Sequence, residues 1–257
     1  MKPERILIDG VPLDALDREG LLSLYASSLR AGHDSVFVGF YAALLRRASV
    51  DRQYRLDVSR SDVIYADGAG AVLGLRWLAK SKRVERLATT DIWRDLVSIG
   101  ADSGVSVAVV ASDQNTLAIF RKAVEQLGAH VAYSRNGYFS SPEEWTQAAK
   151  LVRQSGAGLV LVGMGAGSQE RFVRTIVDEM PNGGPGQVFF TMGGLADHVA
   201  GRTRRAPSLV QKAGFEWLWR TIQEPRRLMA RYVVGNAYFL WRVCVQVLAS
   251  RRRGAAV

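Results

Sequence analysis

Asp67 is the acidic residue whose sequence surroundings best suit chemistry. It follows the short apolar run VIYA (63–66), and glycines come after it at positions 68, 70 and 74. Because glycine lets a ligand approach the backbone closely, a carboxylate beside such a glycine-rich loop could act as a general base. The plainer interpretation is that Asp67 caps the helix predicted to follow it.

Two glycine clusters raise the question of a nucleotide-binding loop. Gly68, Gly70 and Gly74 have a spacing one residue longer than the dinucleotide fingerprint, although Asp91 follows as an acidic residue downstream. The cluster GMGAGSQE (163–170) also follows an apolar run and precedes a helical pattern, so its N–H groups could hold a phosphate. A tight strand-to-helix turn is the alternative for either cluster.

Other catalytic constellations are missing from the sequence. The three histidines, His33, His130 and His198, lack metal-ligand spacing, and the single cysteine, Cys244, excludes a disulfide framework. There is no D-x-D pair for a metal-bound nucleotide diphosphate and no G-x-S-x-G nucleophile elbow. We therefore expect chemistry without a metal or an organic cofactor.

Short apolar runs alternate with amphipathic stretches over the first 200 residues. This alternation predicts an α/β domain with a Rossmann-like, mainly parallel sheet flanked by helices. Ligands bind beyond the carboxyl ends of the strands in such sheets, where Asp67, Ser112 and Gly165 fall. The predicted strands and two of the helices are Ser35–Phe40, Val63–Ala66, Val105–Ala111, Ala129–Tyr133, Gly158–Gly163, Gln187–Thr191, and helices Asn115–Leu127 and Glu143–Gln154.

The net charge is concentrated at the C-terminal end. The last 56 residues hold 12 basic and 2 acidic residues, which accounts for the whole formal charge of +10. Such a segment is expected to meet nucleic acid, a membrane surface or a phosphate-bearing substrate. Arg220, Arg227 and Arg231 share one helical face and suit phosphate oxygens, which arginine grips bidentately. A solvated face on a core-packed helix is the alternative.

The segment 232–250 contains 19 residues and one charge, Arg242. As a helix it would be about 28 Å long, close to the thickness of a bilayer core. Arg242 and a polar stripe that includes Asn236 and Gln246 favour a helix lying in the membrane interface, with Tyr238 and Trp241 at headgroup depth. A core helix or a helix facing a second copy in a homo-oligomer is the alternative.

Taken together, the motifs resemble the WecG/TagA/CpsF family of glycosyltransferases. The resemblance covers most of residues 35–235, and its most specific part is the C-terminal run with R-A-P, G-x-E-W-x-x-R and E-P-R-R. The matching stretches, in the family's order, are ADGAG (66–70), ERLATTD (85–91), NGYF (136–139), LVGMGAGSQERF (161–172), DHVAGRTRRAP (197–207) and GFEWLWRTIQEPRRLMARY (214–232).

This resemblance implies an inverting, metal-independent enzyme that moves a hexose-type sugar from a UDP-sugar to a polyprenyl-diphosphate-linked sugar. It implies bacterial exopolysaccharide or cell-surface glycan synthesis by a cytoplasmic protein, peripheral on the inner membrane. The implied domains are an α/β catalytic domain over residues 1–207 and a basic helical appendage over 208–257 that binds the anionic membrane surface. No nucleic acid partner is expected. A non-catalytic membrane-surface or nucleic-acid-binding module is the alternative.

The resemblance also implies roles for individual residues. Asp67 is expected to be the catalytic base, and the three appendage arginines are expected at the diphosphates. Gly39 and Tyr41 stand where the family usually has T-x-N in the sugar pocket, which implies a different donor sugar. The full set expected to bind substrate is Gly39, Tyr41, Gly68, Arg86, Asp91, Gly165, Gln169, Glu170, Arg220, Arg227 and Arg231.

Overall fold

Six parallel strands form the central sheet, in a computed structural model that describes residues 3–80, 83–180, 184, 186–203, 206–207, 209–210, 216–223 and 225–254. The strands in chain order are β1 (Glu4–Ile8), β2 (Val11–Ala15), β3 (Ser35–Phe40), β4 (Val63–Ala66), β5 (Val107–Ala111), β6 (Val131–Arg135), β7 (Leu159–Gly163) and β8 (Val188–Thr191). The sheet order is β4-β3-β8-β7-β5-β6, and every neighbouring pair is parallel. The predicted α/β class is confirmed.

Helices cover both faces of this sheet. They are α1 (Arg18–Ala31), α2 (Leu44–Val50), α3 (Arg52–Ser59), α4 (Ala69–Leu78), α5 (Thr89–Asp102), α6 (Gln114–Glu125), α7 (Pro142–Gln154), α8 (Ser168–Arg174), α9 (Leu195–Val199), α10 (Glu216–Gln223) and α11 (Pro225–Gly254). A short π-helix, Thr175–Glu179, continues α8. One face packs against α1, α5, α6 and α9; the other packs against α2, α3, α4, α7 and α8, and α11 packs on α2 and α4. Strands buried on both faces read as continuous apolar runs, which is why they were predictable.

All six predicted strands of the central sheet exist, with shifted ends in four cases: β7 and β8 each begin one residue later than predicted, and β5 and β6 differ by two residues. The strand predicted from Val105 begins at Val107, because the Val105 N–H donates to the Gly100 carbonyl and closes the turn after α5 instead of pairing. The strand predicted from Ala129 is β6, which begins at Val131. His130, predicted inside that strand, lies just before it and is exposed.

The N-terminal hairpin was not predicted from the sequence. Strands β1 and β2 are antiparallel and are joined by Asp9 and Gly10, whose φ angles of 51° and 79° suit a tight hairpin turn. The buried Asp14 carboxylate attaches the hairpin to the sheet, because it accepts the Ile64 N–H of β4 at 2.7 Å. Arg5 donates to the same carboxylate at 2.7 Å and compensates its charge.

Helix α11 lies directly on the body of the protein. A Cβ atom on Gly74 of α4 would be 2.6 Å from the Phe239 ring, and one on Gly235 would be 2.7 Å from the Ala43 Cα atom. Glycine at these two positions therefore allows the helix to approach α4 and the start of α2 closely. Phe239 and Val243 are fully buried at this contact.

The polar stripe of α11 points toward the protein. Tyr238 donates to the Asp9 carboxylate at 2.6 Å, Arg242 forms an ion pair with the same carboxylate, and Gln246 donates to the Leu7 carbonyl at 2.8 Å. The opposite face is apolar and half-exposed; it includes Met229, Val233, Val234, Leu240, Trp241, Val245 and Leu248. Periodicity grouped Arg242 and Gln246 on one face but did not indicate that the hairpin would bind them. Tyr238, which was expected at headgroup depth, binds the hairpin instead, because its hydroxyl finds the Asp9 carboxylate.

Candidate active site

Asp67 lies at the carboxyl edge of the sheet, directly after β4. Its backbone N–H donates to the Phe40 carbonyl at 3.1 Å, which continues the pairing between β3 and β4. Its half-buried carboxylate accepts the Thr89 N–H at 3.2 Å through Oδ1. Helix α4 instead has Gly68 as its N-cap, without a side-chain hydrogen bond. The capping interpretation is therefore wrong for α4: Asp67 serves the first turn of α5, 22 residues away.

Tyr41 and Gly68 lie together beside this carboxylate, whereas Gly39 does not reach the edge. A Cβ atom on Gly68 would be 3.2 Å from the Tyr41 Cβ atom, so the loops after β3 and β4 are in contact. A Cβ atom on Gly39 would be 3.1 Å from the hydroxyl oxygen of the buried Tyr65. The space beside Gly39 is therefore filled from within the protein, and it does not enlarge a pocket.

Arg86 and Asp91 form an ion pair close to Asp67. Their side chains approach to 2.6 Å and are each about one-quarter exposed. The segment between them is attached to β4, because the Leu87 N–H donates to the Ala66 carbonyl at 2.8 Å. The predicted residues Asp67, Gly68, Tyr41, Arg86 and Asp91 therefore belong to one region of the sheet edge.

The glycine loop between β7 and α8 forms a second region. Gly165 and Gly167 have φ angles of 82° and 96°, which favour glycine. Gln169 and Glu170 are buried: Glu170 accepts the Gly167 N–H at 2.5 Å, and the Gln169 amide oxygen accepts the Gly193 N–H at 3.0 Å. Their side chains thus join this loop to the loop after β8. Burial raises the pKa of Glu170 above its usual range.

Arg47 of α2 contacts this glycine loop from outside. Its guanidinium donates to the Ala166 carbonyl at 2.5 Å, and a Cβ atom on Gly167 would be 2.1 Å from its Nη2 atom. The same group lies 4.9 Å from the centre of the Tyr54 ring. An arginine from a helix more than a hundred residues earlier in the chain therefore supports this loop, and no sequence motif indicated that contact.

Ser112, at the end of β5, forms a third region with Asp197 of α9. The Ser112 hydroxyl donates to Asp197 Oδ1 at 2.7 Å, and the Ser112 carbonyl accepts the Gly137 N–H at 2.8 Å. The φ angle of Ser112 is 46°, an uncommon conformation for serine that concentrates at functional sites. Asp197 was not among the predicted site residues, although it opens one of the matching stretches.

The C-terminal helices reach the first region through aromatic side chains. The Tyr232 ring centre lies 5.9 Å from that of Tyr41 and 6.2 Å from that of Trp217 in α10. The predicted phosphate-binding side chains of Arg220, Arg227 and Arg231 lie outside the described part of the structure. Their helices nevertheless pack on the loop that precedes α2, next to the loop of Asp67.

The family model described as "Glycosyl transferase WecG/TagA/CpsF family" matches residues 6–253 of the chain. The chain belongs to this family. As a WecG/TagA/CpsF glycosyltransferase, the protein is a transferase of cell-surface glycan synthesis that acts on a sugar donor and an acceptor.

In this glycosyltransferase, the described residues contain no group of three or more His, Cys, Asp or Glu side chains placed to hold a metal ion.

Sequence reasoning missed Arg47, Thr89 and Asp197, because each meets the candidate site through a contact with a residue distant in the chain. Thr89 lies inside the matching stretch ERLATTD, so its motif was visible but its contact with Asp67 was not.

One helical segment, Leu228–Ser250, is long and apolar enough to cross a membrane by length and composition alone.

Proposed function

We propose that this glycosyltransferase moves a hexose-type sugar from a UDP-sugar to a sugar carried on polyprenyl diphosphate, with inversion and without a metal ion. The observation that carries the proposal is the placement of Asp67. Its carboxylate lies half-buried at the sheet edge, is oriented by the Thr89 N–H, and neighbours loops that the C-terminal helices cover. That arrangement suits a general base in a substrate cleft.

Asp67 would accept the proton of the acceptor hydroxyl during sugar transfer. The hydroxyl oxygen forms a bond to the anomeric carbon, while the bond from that carbon to the diphosphate oxygen of UDP breaks. UDP leaves with the electron pair of that bond, and the proton stays on the Asp67 carboxyl group. Attack opposite the leaving group inverts the anomeric centre.

Departing UDP must be stabilised as its negative charge grows. We assign this role to Arg86, to the loop of Gly165 and to the arginines at positions 220, 227 and 231. Preorganised donors of this kind are each worth about 3 kcal/mol, or about a hundredfold in rate. Asp91 would hold Arg86, to which it is paired at 2.6 Å.

Gln169 and Glu170 would act on the donor through the loops they join. Both side chains are buried and their described hydrogen bonds are to loop backbone and to each other, so they shape the cleft from below. Tyr41 is the residue we place in the donor-sugar pocket, because it is partly exposed beside Gly68. Gly39 would contribute by accommodating Tyr65.

The C-terminal part would hold the enzyme on the inner face of the membrane. We propose residues 1–207 as the catalytic domain and 208–257 as an appendage that lies on the bilayer. The half-exposed apolar face of α11 would enter the interface, while Asp9 compensates the charge of Arg242 on the opposite side. Each arginine near an anionic leaflet would add about 1 kcal/mol.

Asp67→Asn tests the catalytic proposal. UDP release would be measured with a panel of UDP-sugars and polyprenyl-diphosphate monosaccharides in detergent, together with calorimetric binding of UDP. We expect turnover to fall at least about a hundredfold with UDP affinity unchanged. Asp17→Asn is the matched control, because Asp17 also accepts a helix N–H, that of Gly20 at 2.8 Å. Parental turnover by Asp67→Asn would refute the base assignment.

A further inference from the structure

The orientation of Asp67 depends on where α5 begins. Ala88, the N-cap of α5, makes no side-chain hydrogen bond to the helix, and Asp67 accepts the N–H of Thr89 instead. The first N–H groups of a helix have no partner within the helix and carry its partial positive charge. A displacement of Thr89 would therefore move the donor that fixes the plane of the Asp67 carboxylate.

Thr89 is in turn held by a buried tyrosine. The Tyr65 hydroxyl lies 3.2 Å from Thr89 Oγ1, Thr89 is buried, and Tyr65 is fully buried. The Tyr65 ring is closely packed against Gly39, because a Cβ atom on Gly39 would be only 3.1–3.2 Å from the hydroxyl end of the ring. A contact between two buried polar groups is directional, whereas apolar packing alone would leave the start of α5 freer to shift.

We propose that Tyr65 and Thr89 are positioning residues for the catalytic carboxylate: the Tyr65 hydroxyl fixes Thr89, and Thr89 fixes Asp67. This inference rests on the proposed function of Asp67. Neither side chain needs to touch a substrate. Their effect is to keep the carboxylate oxygen where it can take the acceptor proton, a geometry on which rate depends steeply.

Tyr65→Phe is the direct test, because it removes the hydroxyl and keeps the ring. We expect kcat to fall about tenfold while KM for the UDP-sugar stays within about twofold, since binding groups are untouched. The acid limb of the pH–rate profile should also move, because the donor to Asp67 is no longer held in place.

Tyr25→Phe is a closely matched control. Tyr25 is also fully buried, its hydroxyl donates to the Leu96 carbonyl of α5 at 2.9 Å, and a Cβ atom on Gly100 would be 3.0 Å from that hydroxyl. Both tyrosines pack against Phe190. The two variants therefore remove equivalent anchors of α5, but only Tyr65 lies next to the residue that contacts Asp67.

Thr89→Ser and Thr89→Val supply an independent pair if Tyr65→Phe folds poorly. Serine keeps the oxygen and should retain kcat within about threefold, whereas valine should lower it about as much as Tyr65→Phe does. The proposal would be overturned if Tyr25→Phe and Tyr65→Phe lost kcat equally. It would also be overturned if Tyr65→Phe and Thr89→Val kept the parental kcat and pH profile.

The Asp67→Asn variant separates this inference from the proposed function. If Asp67→Asn is active, the base assignment fails; if Asp67→Asn is inactive while Tyr65→Phe is unaffected, only the positioning role fails.

Discussion

Gly235→Val should loosen α11 from the body of the protein. A Cβ atom at this position would lie 2.7 Å from the Ala43 Cα and Cβ atoms and 2.8 Å from its carbonyl oxygen. Because two of these atoms are backbone, Ala43 cannot turn away, and overpacking of this kind costs about 1–3 kcal/mol. Valine regains up to about 0.5 kcal/mol of helix propensity over glycine. Subtracting this gain from the middle of the overpacking range, about 2 kcal/mol, leaves a net loss of docking free energy near 1.5 kcal/mol, and we expect it to fall at about 1–2 kcal/mol.

This loss should leave the helix mostly docked but opening more often. Phe239 and Val243 remain buried, and each contributes about 1.5–3 kcal/mol. Amide hydrogen exchange over 228–243 should accelerate about five- to thirtyfold, the factor that corresponds to 1–2 kcal/mol. Transfer to a lipid-linked acceptor should fall as well, because Tyr232 packs against Tyr41 within the same contact.

Ala237→Val is the control for this experiment. Ala237 lies on the exposed side of the same helix, so the added methyl groups point away from Ala43, and we expect the loss to be mainly helix propensity, about 0.5 kcal/mol. Its exchange should rise by no more than about threefold. Equal acceleration in the two variants would show that the close approach to Ala43 does not hold the helix, and the reasoning would be refuted.

Two further outcomes follow from burial and exposure. Burial raises the pKa of Glu170 in the folded protein, so the folded state binds this proton more tightly than the unfolded chain does. The free energy of unfolding therefore falls as the pH rises from the ordinary pKa of a glutamate through the raised pKa of Glu170. Glu170→Gln should therefore gain stability relative to the parent over that interval in urea unfolding; a pH-independent difference would contradict this. Trp241→Ser should weaken binding to anionic phospholipid vesicles about tenfold or more, whereas Gln246→Ser, on the hairpin side, should not; equal affinities would argue against the exposed face as the docking surface.

Five strands of the central sheet were predictable because they are short runs rich in apolar residues and buried along their whole length, whereas the edge strand β6 is mostly not buried. The hairpin was not predicted, since β2 contains Pro12 and the charged Asp14 and shows no such run. The buried contacts of Asp14 with Arg5 and Ile64 explain why a charged residue is tolerated there. The Asp-Gly pair at Asp9, between the two strands, is a recognised signal for a hairpin turn, but an interpretation based on apolar periodicity alone does not use it.

The candidate site was predictable only where its residues share local motifs. Asp67, Gly68 and Tyr41 follow adjacent strands, so their proximity was implied by the parallel sheet. The contact of Ser112 with Asp197 joins residues 85 positions apart and depends on the strand order, which no local pattern gives. In the same way, helical periodicity grouped the polar residues of α11 but could not say which surface they would meet.

The bond between Tyr238 and Asp9 joins positions 229 residues apart. During translation, the hairpin turn leaves the ribosome long before the segment that occupies it, and the sheet can assemble in the interval because domains fold from the N-terminal side. The closing contact can be made only after Tyr238 has been synthesised, 229 residues later. A chain released before α11 is synthesised would lack the apolar face through which we propose that the enzyme reaches the membrane.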